Sequence, residues 1–128
     1  MAAATVNVRY MVNDVEASVA WYTRHLGFEM LSSAAPAFAD VTRGPLRLLL
    51  SGKTSSAGRP MPDGRQPVAG GWNRIQLVVD DLATEVEKMR AAGARFRNEI
   101  VTGPGGSQIL LEDPSGNLVE LFQPRAAR

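Results

Sequence analysis

Val8-Arg9-Tyr10-Met11-Val12-Asn13-Asp14-Val15 is answered 67 residues later by Ile75-Gln76-Leu77-Val78-Val79-Asp80-Asp81-Leu82. Both stretches begin with apolar residues at every second position, the signature of a strand with one buried face. Both then stop at an acid suited to cap a helix. A helical stripe follows each time: Val15, Val19, Tyr22 and Leu26 in the first copy, Leu82, Val86 and Met89 in the second. Alternation alone recurs by chance. A stop, a cap and a stripe repeated at one offset point to a duplicated unit.

Working outward, the first strand covers residues 6–12, and Gly27 closes the first helix. Residues 28–32, 38–42 and 46–51 read as three further strands, the last two joined by the turn Arg43-Gly44-Pro45. In the second copy the helix ends near Gly93. Strands are expected at 96–101, 107–112 and 118–123, separated by Gly103-Pro104-Gly105-Gly106 and Asp113-Pro114-Ser115-Gly116. The expected class is α+β: one domain of two strand–helix–three-strand modules, at about 6–51 and 72–124. Between them, residues 52–71 are rich in Gly, Pro, Ser and Arg and lack periodicity. A connector of that length is either a binding loop or a solvated linker.

The totals narrow the function. A net charge of +1 over 128 residues, with no clustered basic face, argues against a nucleic-acid partner. The longest apolar runs fall well short of a membrane span. Residues 1–7 lack the basic and apolar regions of a signal peptide, so a cytoplasmic protein is expected. The absence of cysteine rules out disulfides, thiolate ligands and a cysteine nucleophile. Gly103-Pro104-Gly105-Gly106 is no phosphate loop, because no Lys-Ser/Thr follows it.

The sequence resembles the vicinal oxygen chelate superfamily of glyoxalases, bleomycin-resistance proteins, fosfomycin-resistance enzymes and extradiol dioxygenases. The resemblance is carried by Val12-Asn13-Asp14-Val15-Glu16-Ala17-Ser18, Trp21-Tyr22 and His25-Leu26-Gly27-Phe28 in the first half. In the second half it is carried by Val79-Asp80-Asp81-Leu82 and Asp113-Pro114-Ser115-Gly116-Asn117-Leu118-Val119-Glu120-Leu121. It implies two βαβββ modules that form a curled mixed sheet around a ligand cleft. In metal-dependent members a histidine stands seven residues before the strand-stop acid, and a carboxylate stands on the last strand. Those positions fall on Asn7, Arg74 and Glu120.

This set is a poor cation site. An amide oxygen is a weak ligand for transition metals. A guanidinium has only donors and keeps its proton. The lone histidine, His25, falls at a helix C-terminus, where a partial positive charge is mildly favourable. Neither a metal nor another cofactor is therefore expected. Arg74 is expected to pair with Glu120 as its counter-charge. On the implied cleft faces stand Asn7, Arg9 and Met11 from the first module, and Trp72, Arg74, Gln76, Glu120 and Phe122 from the second. These are the expected ligand-binding residues, with Arg9 receiving an anionic or carbonyl group and Trp72 stacking on a planar ring.

Two functions follow from the resemblance. The first is a metal-free protein that sequesters an antibiotic or aromatic metabolite, as a homodimer. The second is a glyoxalase-like lyase, isomerase or dioxygenase using Glu120 as a base. A neighbouring guanidinium weakens a carboxylate as a base, which favours the first. A third reading, an interaction module, calls for the connector to plug the groove.

Overall fold

The computed structural model describes residues 5–126. Residues 1–4, part of the stretch read for a leader, lie outside the described residues, as do 127 and 128. Two compact units are present. One runs up to Gly70 and takes in Pro114–Asn117; the other comprises Gly71–Asp113 and the chain from Leu118 onward.

The first unit contains β1 (Val6–Met11), α1 (Val15–Leu26), β2 (Glu29–Ala34), β3 (Phe38–Arg43) and β4 (Leu46–Ser51). Its sheet order is β1-β4-β3-β2, with β1 parallel to β4 and the other pairs antiparallel. The parallel pair needs a crossover, which α1 provides. Asp14 caps that helix, its Oδ1 accepting from the Ala17 N–H at 3.0 Å. Gly27 ends it in the left-handed conformation at φ 68°.

The buried stripe of α1 is Val15, Ser18, Tyr22 and Leu26. Ser18 takes the place expected of Val19, which is half-buried. Its hydroxyl donates to the Asp14 carbonyl at 2.8 Å, so burial leaves no polar group unmet. Facing α1 are β3 and β4, whose Ala39, Val41, Leu48 and Leu50 are fully buried. Each such Leu or Val contributes roughly 1.5–3 kcal/mol. Alternation turns Phe38, Asp40, Thr42, Arg47, Leu49 and Ser51 to the opposite face.

The second unit contains β5 (Ile75–Val78), α2 (Leu82–Ala91), β6 (Arg95–Phe96), β7 (Val101–Gly103), β8 (Gly106–Glu112) and β9 (Leu118–Pro124). Here β5 runs parallel to β9, β9 antiparallel to β8, and β6 and β7 both pair with β8. The strand expected over 96–101 is therefore two short pieces. In the gap, the Asn98 side chain accepts from the Leu110 N–H at 2.9 Å, standing in for a ladder bond. The α2 stripe is Leu82, Val86 and Met89 as the spacing predicts.

The connector folds against the first unit. Its Gly52 N–H donates to Ala37 O at 2.8 Å, Ser56–Gly58 forms a 3-10 turn, and Gln66 Nε2 donates to Gly58 O at 2.6 Å. At the far end, Gly70 N–H donates to the Asn117 side chain at 2.8 Å. These bonds tie the segment to the first unit, while residues 59–66 are exposed to solvent. Among the described residues no helix is long and apolar enough to cross a membrane.

Candidate functional site

In the second unit the register Gln76↔Glu120 on β5 and β9 sets two polar side chains side by side. Glu120 is only 6% exposed. Its Oε1 accepts from Arg74 Nε at 3.0 Å and lies 2.9 Å from Arg74 Nη2; its Oε2 accepts from Gln76 Nε2 at 2.6 Å. Both carboxylate oxygens are thus engaged by protein donors. Arg74 also donates to the Trp72 carbonyl at 3.2 Å. Trp72 lies in a bend and Arg74 in the irregular residues just before β5, neither in the strand.

The Trp72 side chain stands out, with the residue 66% exposed. The Arg97 guanidinium sits 5.5 Å from the centre of its ring. That contact holds an aromatic plane at the surface. Phe122 is half-buried on β9, opposite the exposed Val78 of β5.

In the first unit the face turned away from α1 carries three rows set by register: Phe38–Ser51–Met11, Asp40–Leu49–Arg9 and Thr42–Arg47–Asn7. Asp40, only 3% exposed, is a buried acid that the sequence reading did not single out. It accepts from Arg47 Nε at 2.8 Å and from Ser32 Oγ at 2.6 Å. Burial pushes the Asp40 carboxyl up, but the hydrogen bonds from Ser32 and Arg47, and the Arg47 charge, outweigh it. The acid is held below its ordinary value. No local pattern marks this pair, because the two residues meet only once β3 and β4 are in register.

Arg9 donates from Nη1 to the buried Ser51 Oγ at 2.8 Å. Among the described residues it forms no ion pair. It borders a cavity of about 640 Å³ together with Ala37, Phe38 and residues 54–57 of the connector. Met11 borders a different cavity, of about 320 Å³, with Asn13, Lys53 and Gln66. Asn7 is exposed on β1. The structure thus brings Arg74, Gln76 and Glu120 together, while Arg9 and Met11 share a face of β1 but border different cavities. Phe38, read only as a strand residue of β3, and the connector hydroxyls were missed, the latter because the connector carries no periodic signal.

His25 differs from expectation. Its ring packs edge-on to Trp21, centroids 5.6 Å apart. Burial first, and the Arg24 charge second, lower its pKa, so the neutral form is favoured instead of a charge on the helix dipole.

Against known proteins, the family model for the Glyoxalase/Bleomycin resistance protein/Dioxygenase superfamily matches residues 5–121. The chain belongs to this superfamily. A lactoylglutathione lyase of Salmonella typhimurium is 31% identical over 124 residues, 91% of this chain and 89% of the relative. Among solved structures, a lactoylglutathione lyase from Agrobacterium tumefaciens superposes with a TM-score of 0.75 at 22% identity, covering 95% of this chain and 94% of its own. TnmS3, an antibiotic-binding protein from Streptomyces sp. CB03234, gives 0.72 at 21%, covering 97% and 98%. At these identities the two structures establish the shared fold.

For a member of the Glyoxalase/Bleomycin resistance protein/Dioxygenase superfamily, the residues at the implied metal positions fit a cation badly. Of Asn7, Arg74 and Glu120, one is a neutral amide and one a permanent cation. The third already spends both oxygens on Arg74 and Gln76. Among the described residues no three His, Asp or Glu side chains are grouped to hold an ion.

Proposed function

We propose that this superfamily member is a metal-free small-molecule-binding protein that sequesters an antibiotic or aromatic metabolite. The observation that carries the reading is the Glu120 carboxylate. A catalytic metal needs it as an open donor, and here a guanidinium and an amide hold both its oxygens. The residues proposed to meet ligand are Asn7, Arg9 and Met11 in the first unit, and Trp72, Arg74, Gln76, Glu120 and Phe122 in the second. The likeness in fold to an antibiotic-binding protein supports the ligand class.

The protein is proposed to act in the cytoplasm as a homodimer. Exposed Met30 and Leu31 on β2 and Val78 on β5 support association. Sedimentation of the purified chain tests it; a monomer at all concentrations rejects it.

Two measurements test the main reading. Elemental analysis of freshly purified protein is expected to find no stoichiometric nickel, zinc, manganese or iron. Titration with bleomycin and a panel of aromatic natural products is expected to quench tryptophan fluorescence, with Trp72 as reporter. One tightly bound metal equivalent overturns the proposal, and so does a panel that never quenches.

The competing reading is a glyoxalase-like lyase, favoured by the 31% identity to the Salmonella lactoylglutathione lyase. Turnover of lactoylglutathione that disappears in Glu120→Gln would establish it.

A further inference from the structure

We propose that the Arg9 cavity of the first unit binds a planar organic monocarboxylate, such as an aromatic acid, by its anionic end. This deepens the binding function proposed above and rests on it. The face of the sheet that carries Arg9 holds four charges: Arg9, Arg47, Asp40 and, at the β2 edge opposite Thr42, Glu29. Asp40 neutralises Arg47 through a short ion pair of 2.6 Å. Glu29 stands on the strand at the other edge of the sheet from Arg9. Among the described residues Arg9, beside a cavity of about 640 Å³, forms no ion pair.

The geometry of Arg9 selects the ligand. Arg9 is exposed, and its Nη1 donates to the Oγ of the fully buried Ser51 at 2.8 Å, which anchors the side chain beside the cavity. Among the described residues, Nε and Nη2 have no partner. A guanidinium offering two parallel N–H groups matches the two oxygens of a carboxylate. A single cation suits a monoanion; a phosphate dianion calls for a second cation, and Asp40 already holds Arg47.

The remaining walls suit the rest of such a molecule. Phe38 and Ala37 give an apolar side, and Thr54 and Ser56 give hydroxyls with no side-chain bond among the described residues. Ser55 cannot donate there, because its hydroxyl already donates to Gly52 O at 2.6 Å. The connector therefore contributes to the site as a wall built from its first turn. This goes beyond the expected binding residues by adding Phe38, Thr54 and Ser56 and by narrowing the anionic or carbonyl group expected at Arg9 to a monocarboxylate.

The test uses benzoate, its neutral isostere benzamide, and inorganic phosphate as probes of the full chain, with affinities read by calorimetry and amide shifts by NMR. Benzoate is expected to bind at least about tenfold more tightly than benzamide or phosphate, and to shift amides at 37–38 and 54–57. Arg9→Gln is expected to lose about tenfold in benzoate affinity with its melting temperature unchanged. Arg65→Gln removes the same charge from the exposed connector pair with Asp63 and is expected to bind as the wild type does.

Equal binding of benzoate and benzamide, tighter binding of phosphate, or an indifferent Arg9→Gln each overturns the proposal. So does an equal loss in Arg65→Gln, which would reduce the effect to net charge. Failure here is distinguishable from failure of the function proposed above. The metal content and the fluorescence titration with bleomycin do not depend on the benzoate result.

Discussion

Arg74 and Asp40 show what single residues decide in this chain. Arg74 brings a permanent charge to a nearly buried carboxylate, and removing it would leave Glu120 with Gln76 as its donor. Breaking a buried pair costs several kcal/mol, but the Arg74 side chain is 29% exposed and water would soften the loss. Arg74→Gln is expected to cost about 2 kcal/mol in urea unfolding. A neutral result would mean that the pair adds nothing to stability.

Asp40 sets a pH dependence. Its folded pKa lies below the ordinary 3.8, so it contributes stability above that value, and the contribution is lost as pH falls through the folded pKa. Urea midpoints are expected to fall more steeply below pH 3.8 in the wild type than in Asp40→Asn. Identical slopes would remove Asp40 from the account. The Arg74–Glu120 pair was legible in the sequence because the family resemblance implies a ligand position seven residues before the strand-stop acid, where Arg74 falls, and a last-strand carboxylate, where Glu120 falls. Asp40 was not, because its partner is reached across a hairpin and neither residue breaks the strand pattern.

At the scale of elements, caps and stripes read well, since each is a local rule of spacing. The exceptions have particular causes. Ser18 enters the α1 stripe because its hydroxyl is satisfied by the preceding turn of its own helix. The strand over 96–101 breaks because a side chain, Asn98, substitutes for backbone pairing. The connector looked structureless because its bonds run to Ala37, Asn117 and its own backbone, with no periodic core contact.

Gly58 tests the fold of that connector. A Cβ there would sit 2.5 Å from the carbonyl oxygens of Gly52 and Lys53. Gly58→Ala is expected to destabilise the chain by about 1–3 kcal/mol and to raise amide exchange across residues 52–58. Unchanged exchange would show that the turn adjusts without cost.

At the scale of the whole molecule, the tandem organisation was visible because the strand stop and cap recur at one offset. The grouping of the connector with the first unit was not visible, since it depends on distant hydrogen bonds. With Glu120 held by protein donors, stability is expected to owe nothing to a cation. The melting temperature is therefore expected to be the same in EDTA as in excess nickel or zinc. A large rise with either metal would point to a coordination site.

The turn 114–117 lies between β8 and β9 of the second module in sequence yet belongs to the first unit. Asn117 donates to the Met11 carbonyl at 2.8 Å and accepts from Gly70, while Ser115 accepts from the Asn13 N–H at 2.8 Å. A half-gene ending at Gly70 would encode a polypeptide missing the piece that closes off its own first strand. The boundary between the two sequence repeats is thus not the boundary between the two compact units.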